Sequence, residues 1–313
     1  MEDYPKTLSE LESRFATSKA CGEYLVSLRW PDGFRCPRCR SAKAWAVSER
    51  LFECAGCHHQ SSVTAGTIFN RSRIPLTVWF RAIWWITSQK NGASALGLKR
   101  ILGLGSYETA WTCLHKLRRA MVRHGRDRLS GVVEVDETYI GGKRSGKRGR
   151  GAEGKTLVII AAQQDGKRIG RIRLCQVPDA SGERLEGAIQ KAVEPGSVIR
   201  TDGWQGYNGM EAFGYTREII RENAVVGDSL LPLCHRVASL LKRWLAGTHQ
   251  GSVSHEHLDY YLDEYTFRFN RRTSQYRGKL FYRLLEQAVV TAPSTYETMA
   301  LHIRGRKRKI HNI

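Results

Sequence analysis

The apolar positions of this 313-residue chain change period partway along it. Before about residue 128 the regular stretches follow helical spacing. In 78–90, Trp79, Phe80, Ile83 and Trp84 share one stripe, which predicts a helix whose rings pack. Two more helical patterns fill 93–124, separated by Gly103-Leu104-Gly105, with Ser106 placed to cap the second. In that second helix Tyr107, Ala110, Trp111, Leu114, Leu117 and Met121 fall on one side. Glu108, Thr112, Lys116, Arg119 and Arg123 fall on the other. From Gly131 the period becomes two. Strands are predicted over 132–142, 155–164 and 167–177, then a helix over 181–193 and a strand over 197–202. Adjacent strands followed by alternating helices and strands imply a mixed α/β sheet. Pro232 opens another helix, predicted to end at Gly247, with Val237, Leu240, Leu241 and Trp244 on its buried side. The stretch 257–285 is amphipathic again.

Charge adds a partner to this outline. Fifty Lys and Arg against thirty Asp and Glu give a net charge of +20. The excess is spread along the chain: residues 1–130 carry net +11 and residues 131–313 net +9. Such a chain suits an anionic polymer, nucleic acid first, although basic side chains also serve as solvated surface. A hydrophobic content of 41 % excludes wholesale disorder. No apolar run reaches the ~20 residues of a membrane span, and the N-terminus has no signal-peptide core, so a cytoplasmic chain is expected.

Cysteine spacing brings in a metal. Cys36-Pro-Arg-Cys39 and Cys54-Ala-Gly-Cys57 are two CxxC knuckles fourteen residues apart, the spacing of a zinc ribbon with four thiolates on one Zn²⁺. A chain without a secretion signal favours zinc over disulfides. His58 and His59 follow directly, but four sulfurs already complete a tetrahedron. Cys21, Cys113, Cys175 and Cys234 have no matched partners and suit small buried apolar positions. The helix–glycine turn–helix at 93–124 matches a helix-turn-helix, whose second helix would present Lys116, Arg119 and Arg123 to DNA. An ordinary helical hairpin with a solvated polar face fits the same pattern.

Two carboxylates stand out in the second half. Asp136 lies in the first strand beside Glu134, and Asp202 ends the later strand before Gly203. Brought side by side, they would offer hard oxygen ligands to Mg²⁺ or Mn²⁺. Alone, a strand-end Asp is more often a turn former. His235 and Lys242 are seven apart on one helix face, and the first-turn position of His235 disfavours imidazolium and keeps the ring able to ligate. Taken by themselves these two are better read as a surface pair on a solvated face. Residues 149–156 match the P-loop pattern GxxxxGK[ST], but they precede a strand instead of opening a helix. They are better taken, with Lys143 and Arg144, as a basic loop. Arg243, Arg268, Arg271 and Arg272 and the tail beyond Arg304 are further candidates for phosphate contact.

The stretches CPRC…CAGC, GTIFNRSRIPLTVWF, VEVDETYIGGK, TDGWQGY, HRVASLLKRWLAGTHQGSVS and LDEYTFRFNRR together resemble the DDE-type transposases of bacterial insertion sequences, in the ISXO-like branch with an N-terminal zinc ribbon. The resemblance implies an α/β fold: a ribonuclease H-like catalytic domain, a mixed sheet flanked by helices, preceded by a small zinc ribbon and a helix-turn-helix-like segment. It divides the chain into a ribbon at 1–70, a helical DNA-binding segment at 71–128, a catalytic domain at 129–290 and a basic tail at 291–313. Asp136 and Asp202 would hold Mg²⁺ or Mn²⁺ for cleavage and strand transfer, and Lys242 would contact the DNA backbone. The wider superfamily has Glu at the third catalytic position, where this chain has His235. Glu256, Asp259 and Glu264 are the reserve acids, Glu264 foremost, although Glu264 is better read as a salt-bridged helix acid. The implied partners are double-stranded DNA, both terminal inverted repeats and target, and further copies of the chain on the DNA ends, in a bacterial cytoplasm and on its nucleoid. The competing expectation is a zinc-ribbon DNA-binding protein or regulator with an inactive DDE-like domain.

Overall fold

Side-chain hydroxyls start most of the early helices. In a computed structural model describing residues 2–123, 125–141, 155–220, 230–251 and 253–300, Thr7 caps α1 (Leu8–Arg14) and Thr17 caps α2 (Ser18–Arg29), each accepting from the amide three residues on. Three short strands follow, β1 (Ala44–Ser48), β2 (Leu51–Cys54) and β3 (Gln60–Ser62), antiparallel in that order. Then come α3 (Leu76–Ser88), α4 (Ala95–Leu102) and α5 (Tyr107–Ala120). Gly103 takes the left-handed conformation at φ 64°, closing α4, and Ser106 Oγ accepts from Thr109 N at 3.0 Å, opening α5. The glycine turn and its serine cap are therefore where the sequence put them.

The described residues divide into two compact units, Met1–Arg123 with Thr273–Ile313, and His124–Arg272. The second begins with β4 (Val132–Ile140), β5 (Thr156–Asp165) and β6 (Arg168–Val177), then α6 (Gly182–Ala192), β7 (Val198–Thr201), β8 (Thr216–Ile219), α7 (Pro232–His249) and α8 (Leu258–Phe269). Its sheet runs β6-β5-β4-β7-β8, antiparallel among the first three strands and parallel from β4 to β8. This is the ribonuclease H-like mixed sheet that the resemblance implied. Strand alternation sorts two cores. Val133, Val135, Ile159 and Ile199 pack with Leu185 and Ile189 of α6. Val158, Ile160 and Ala162 pack on the opposite face with Val237 and Leu241 of α7 and Leu262 of α8. The side chains of Glu134 and Asp136 alternate onto this second face. β8 was not predicted, and α7 runs two residues beyond Gly247 before Gln250 turns left-handed at φ 50°. Helix packing evidently outweighs the propensity cost of an internal glycine.

The chain then returns to the first unit in α9 (Arg277–Ala288), the last part of the 129–290 segment. Phe281 of α9 joins Phe15, Phe80 and Trp84 in an aromatic cluster with centroids 4.8–6.0 Å apart. Gly278 makes that return possible: a Cβ there would stand 1.7 Å from the Pro5 carbonyl oxygen. The pattern at 257–285 thus comprises two helices serving two different cores.

Candidate functional site

Each cysteine knuckle closes the same way. The amides of Arg40 and His58 donate to the carbonyls of Cys36 and Cys54 at 2.9 Å, and both residues are left-handed, at φ 62° and 56°. The turns bring the four sulfurs within 4.8 Å of one another. Cys36 to Cys57 is 3.7 Å and Cys39 to Cys54 is 3.5 Å. A tetrahedron with Zn–S bonds of about 2.3 Å has an edge of about 3.8 Å, so the donor set fits structural Zn²⁺. His58 turns away to Glu53 at 3.1 Å. Of the other cysteines, Cys21, Cys113 and Cys234 are buried and Cys175 partly so.

Asp136 sits in the middle of β4 with its side chain 19 % exposed, and its Oδ2 lies 3.3 Å from His235 Nε2. A neighbour on the same strand face arranges this meeting. Glu134 Oε2 accepts from the amides of Leu233 at 2.8 Å and Cys234 at 3.1 Å, so a strand carboxylate caps the first turn of α7. The Cys234 thiol donates to the carbonyls of Glu134 and Ile160, fastening the same turn. Burial raises the Glu134 pKa, against the pull of the two amides. Lys242, two turns along α7, is exposed. Partial desolvation and Lys155 lower its pKa, while Asp136 opposes them.

Asp202 follows β7 directly. The parallel register pairs Glu134 with Arg200, two residues before Asp136 on β4 and two before Asp202 in the turn after β7. The Asp202 Oδ1 accepts from Trp204 N at 3.0 Å. Arg217 of β8 ties the turn down, donating to Thr201 Oγ1, Asn208 Oδ1 and the carbonyls of Asp202 and Trp204. Gly206 is required inside it, because a Cβ would lie 2.5 Å from Trp204 Nε1 and 2.9 Å from the Ala180 carbonyl. Tyr207 is fully buried behind the turn, and burial with the charges of Glu137, Asp136 and Asp202 drives its pKa far upward. Among the described residues, only the four cysteines form a group of three or more candidate ligands within 4.8 Å. Asp136 and His235 form a pair outside that group.

The remaining sequence candidates separate. Glu264 is fully buried with its carboxylate on Arg268 at 2.9 Å, the salt-bridged helix acid. Arg271 lies over the Phe267 ring at 4.1 Å. Arg272 lies over Phe269 at 4.2 Å and donates to the carbonyls of Gly170 and Phe269. Asn270 pairs with both backbone groups of Ile172 on the edge strand β6, at 2.7 and 3.1 Å. The FNRR run thereby fastens α8 to a strand edge. Arg243 and Arg123 are exposed and Arg119 half-buried. Lys116 corrects the expected outward row: it is only 8 % exposed, because the middle of α5 is enclosed by neighbouring elements. Conversely, Tyr107, placed on the buried side, is 54 % exposed at the helix start. Lys143, Arg144, most of the P-loop-like run and the tail beyond Arg304 lie outside the described residues.

Sequence reasoning missed Glu134 as a cap and Arg217 and Asn270 as clamps. Only Glu134 carried a signal, sharing Asp136's face at i, i+2.

Residues 128–270 match the ISXO2-like transposase domain family, and residues 16–60 match the transposase zinc-ribbon domain family. The uncharacterized protein in transposable element ISH50 of Halobacterium salinarum is 28 % identical over 277 residues, covering 81 % of this chain and 91 % of that protein. A chain of the cryo-EM structure of the simian T-cell lymphotropic virus intasome in complex with PP2A regulatory subunit B56 gamma aligns with 60 % of this chain and 70 % of its own length. The identity there is 12 % and the TM-score 0.33. Among the described residues no helix is long and apolar enough to cross a membrane.

Proposed function

From a chain that carries an ISXO2-like transposase domain and a transposase zinc ribbon, and so has the domain content of a transposase, we propose a specific chemistry: binding of insertion-sequence ends, DNA cleavage and strand transfer at Asp136, Asp202 and His235. The contact of His235 Nε2 with Asp136 Oδ2 at 3.3 Å carries this reading, since it joins residues ninety-nine apart at one spot on the sheet. Asp136 and Asp202 supply carboxylate oxygens and His235 an imidazole nitrogen, a donor set that accepts Mg²⁺ and suits Mn²⁺ better. A divalent ion held by these three residues would supply the Lewis acidity that activation of water, and then of a 3′-hydroxyl, for attack on a phosphodiester requires.

The protein's own part is placement. Glu134 holds the first turn of α7 and thereby His235. Arg217 holds the turn that carries Asp202. Lys242 lies two turns beyond His235, where a DNA backbone passing the carboxylates would meet an ammonium. The salt-bridged state of Glu264 favours His235 as the third ligand. Double-stranded DNA is the substrate, bound by more than one copy of the chain.

The test is strand transfer by purified protein with Mg²⁺ or Mn²⁺ on DNA bearing the element's terminal repeats. Asp202→Ala abolishes cleavage and joining while DNA binding persists. A variant that joins as well as the parent overturns the enzymatic reading and leaves a DNA-binding protein with an inactive catalytic domain.

A further inference from the structure

Within the first unit a cleft of about 330 Å³ opens between the Arg71–Ile74 segment and α5. The catalytic residues lie in the other unit, so the proposed chemistry does not account for it. Lys116 lines the cleft and is 92 % buried, yet among the described residues its ammonium has no hydrogen bond and no ion pair. Burial lowers its pKa, and Arg119 adds to that effect. A largely covered cation whose ammonium opens only into the cleft, with no counter-ion beside it, favours an anion entering there.

The surroundings are arranged for an anion. Ser106, Thr109 and Thr112 put three hydroxyls on the α5 wall, and the first turn of a fourteen-residue helix adds the positive end of its dipole. Arg71 and Arg73 are exposed at the opposite wall. Glu108 is the one carboxylate there, against three cations. The Arg71–Ile74 wall is fixed in advance, since Ser72 Oγ accepts from Trp79 Nε1 at 2.9 Å and from Ile74 N at 3.1 Å.

We propose that this cleft is a phosphate seat, taking one backbone phosphate of a bound DNA strand, with Lys116 reaching it from inside and Arg71 and Arg73 flanking it. The volume exceeds a phosphate and leaves room for the attached sugar. The proposal rests on the DNA-binding part of the function above and is independent of the catalytic part. It also gives Lys116 a DNA contact that burial on an outward helix face would have denied it.

Pulsed amine acylation of the zinc-loaded full chain, read at Lys116 by mass spectrometry, tests it in buffer, in inorganic phosphate and with a terminal-repeat duplex. The duplex should slow labelling of Lys116 by about tenfold, the scale of a charge-assisted contact. Unchanged labelling while a gel shift shows bound duplex overturns the seat and leaves DNA binding standing. Protection by inorganic phosphate but not by bound duplex overturns the DNA backbone as the source. If no duplex binds, the underlying DNA reading fails, and lack of protection by inorganic phosphate overturns the seat as well.

Lys116→Met supplies a second readout. It should weaken specific and unrelated duplexes alike, lower the slope of log K against log[salt] by about one, and be rescued by Lys116→Arg. An unaltered slope overturns the proposal. Should Lys116→Met melt early, Arg73→Ala at the exposed rim must shift the slope in the same direction, or the proposal fails.

Discussion

Glu134 faces two opposing demands. The residue is only 5 % exposed, which favours the neutral form, while two amides of α7 favour the charged one. The net pKa is raised, so its ionisation opposes folding, and that part of the stability is complete below the ordinary value of 4.5 and declines as pH rises through the folded pKa. Glu134→Gln keeps an acceptor for the amides without a buried charge. We expect its unfolding free energy from urea titration to stay within about 1 kcal/mol of the parent's at neutral pH and to lose this decline. Glu134→Ala strands two amides and should cost about 2 kcal/mol. A midpoint for Glu134→Ala equal to the parent's would show that the cap adds nothing. Strand transfer should fall with it, since α7 then holds His235 less firmly over Asp136.

Among the elements, the ribbon was the most legible in the sequence, because its two knuckles are local turns and one tetrahedral ion explains both. The carboxylate site was legible only in part. Strand period located Asp136 and Asp202, but their placement on neighbouring strands depends on a parallel β4–β7 register that no local pattern states. The supports were hidden for the same reason: the Glu134 amide partners lie 99 and 100 residues away, and Asn270 reaches 98 residues back to Ile172. Lys116 was misplaced because one apolar stripe was taken to mean one buried side, whereas α5 is covered around much of its circumference. Zinc removal tests the most legible element. With few buried apolar side chains in β1 to β3, the metal must supply much of the ribbon's stability, on the order of 10 kcal/mol for such sites. Chelation should abolish hydrogen-exchange protection over 44–62 while the five-stranded sheet, with cores on both faces, keeps its own. Persistent ribbon protection in zinc-free protein would refute a structural ion.

At the scale of the whole molecule, the +20 charge separates binding from chemistry. Both the first 130 residues and the remainder are strongly basic, so DNA engaged along the whole chain would displace many counterions. For six to ten phosphates, log K should fall against log[salt] with a slope of about −5 to −9, losing roughly 10³ to 10⁵ in affinity between 50 and 200 mM salt. A slope shallower than about −3 would mean that most of these cations are solvated surface. Asp202→Ala sharpens the measurement, because it removes an acid from the catalytic turn and leaves every Lys and Arg in place. That variant should retain the steep slope and form no joined product. Loss of the slope together with joining would instead place Asp202 in the binding of DNA, and the proposed division between cations that hold the strand and carboxylates that act on it would not stand.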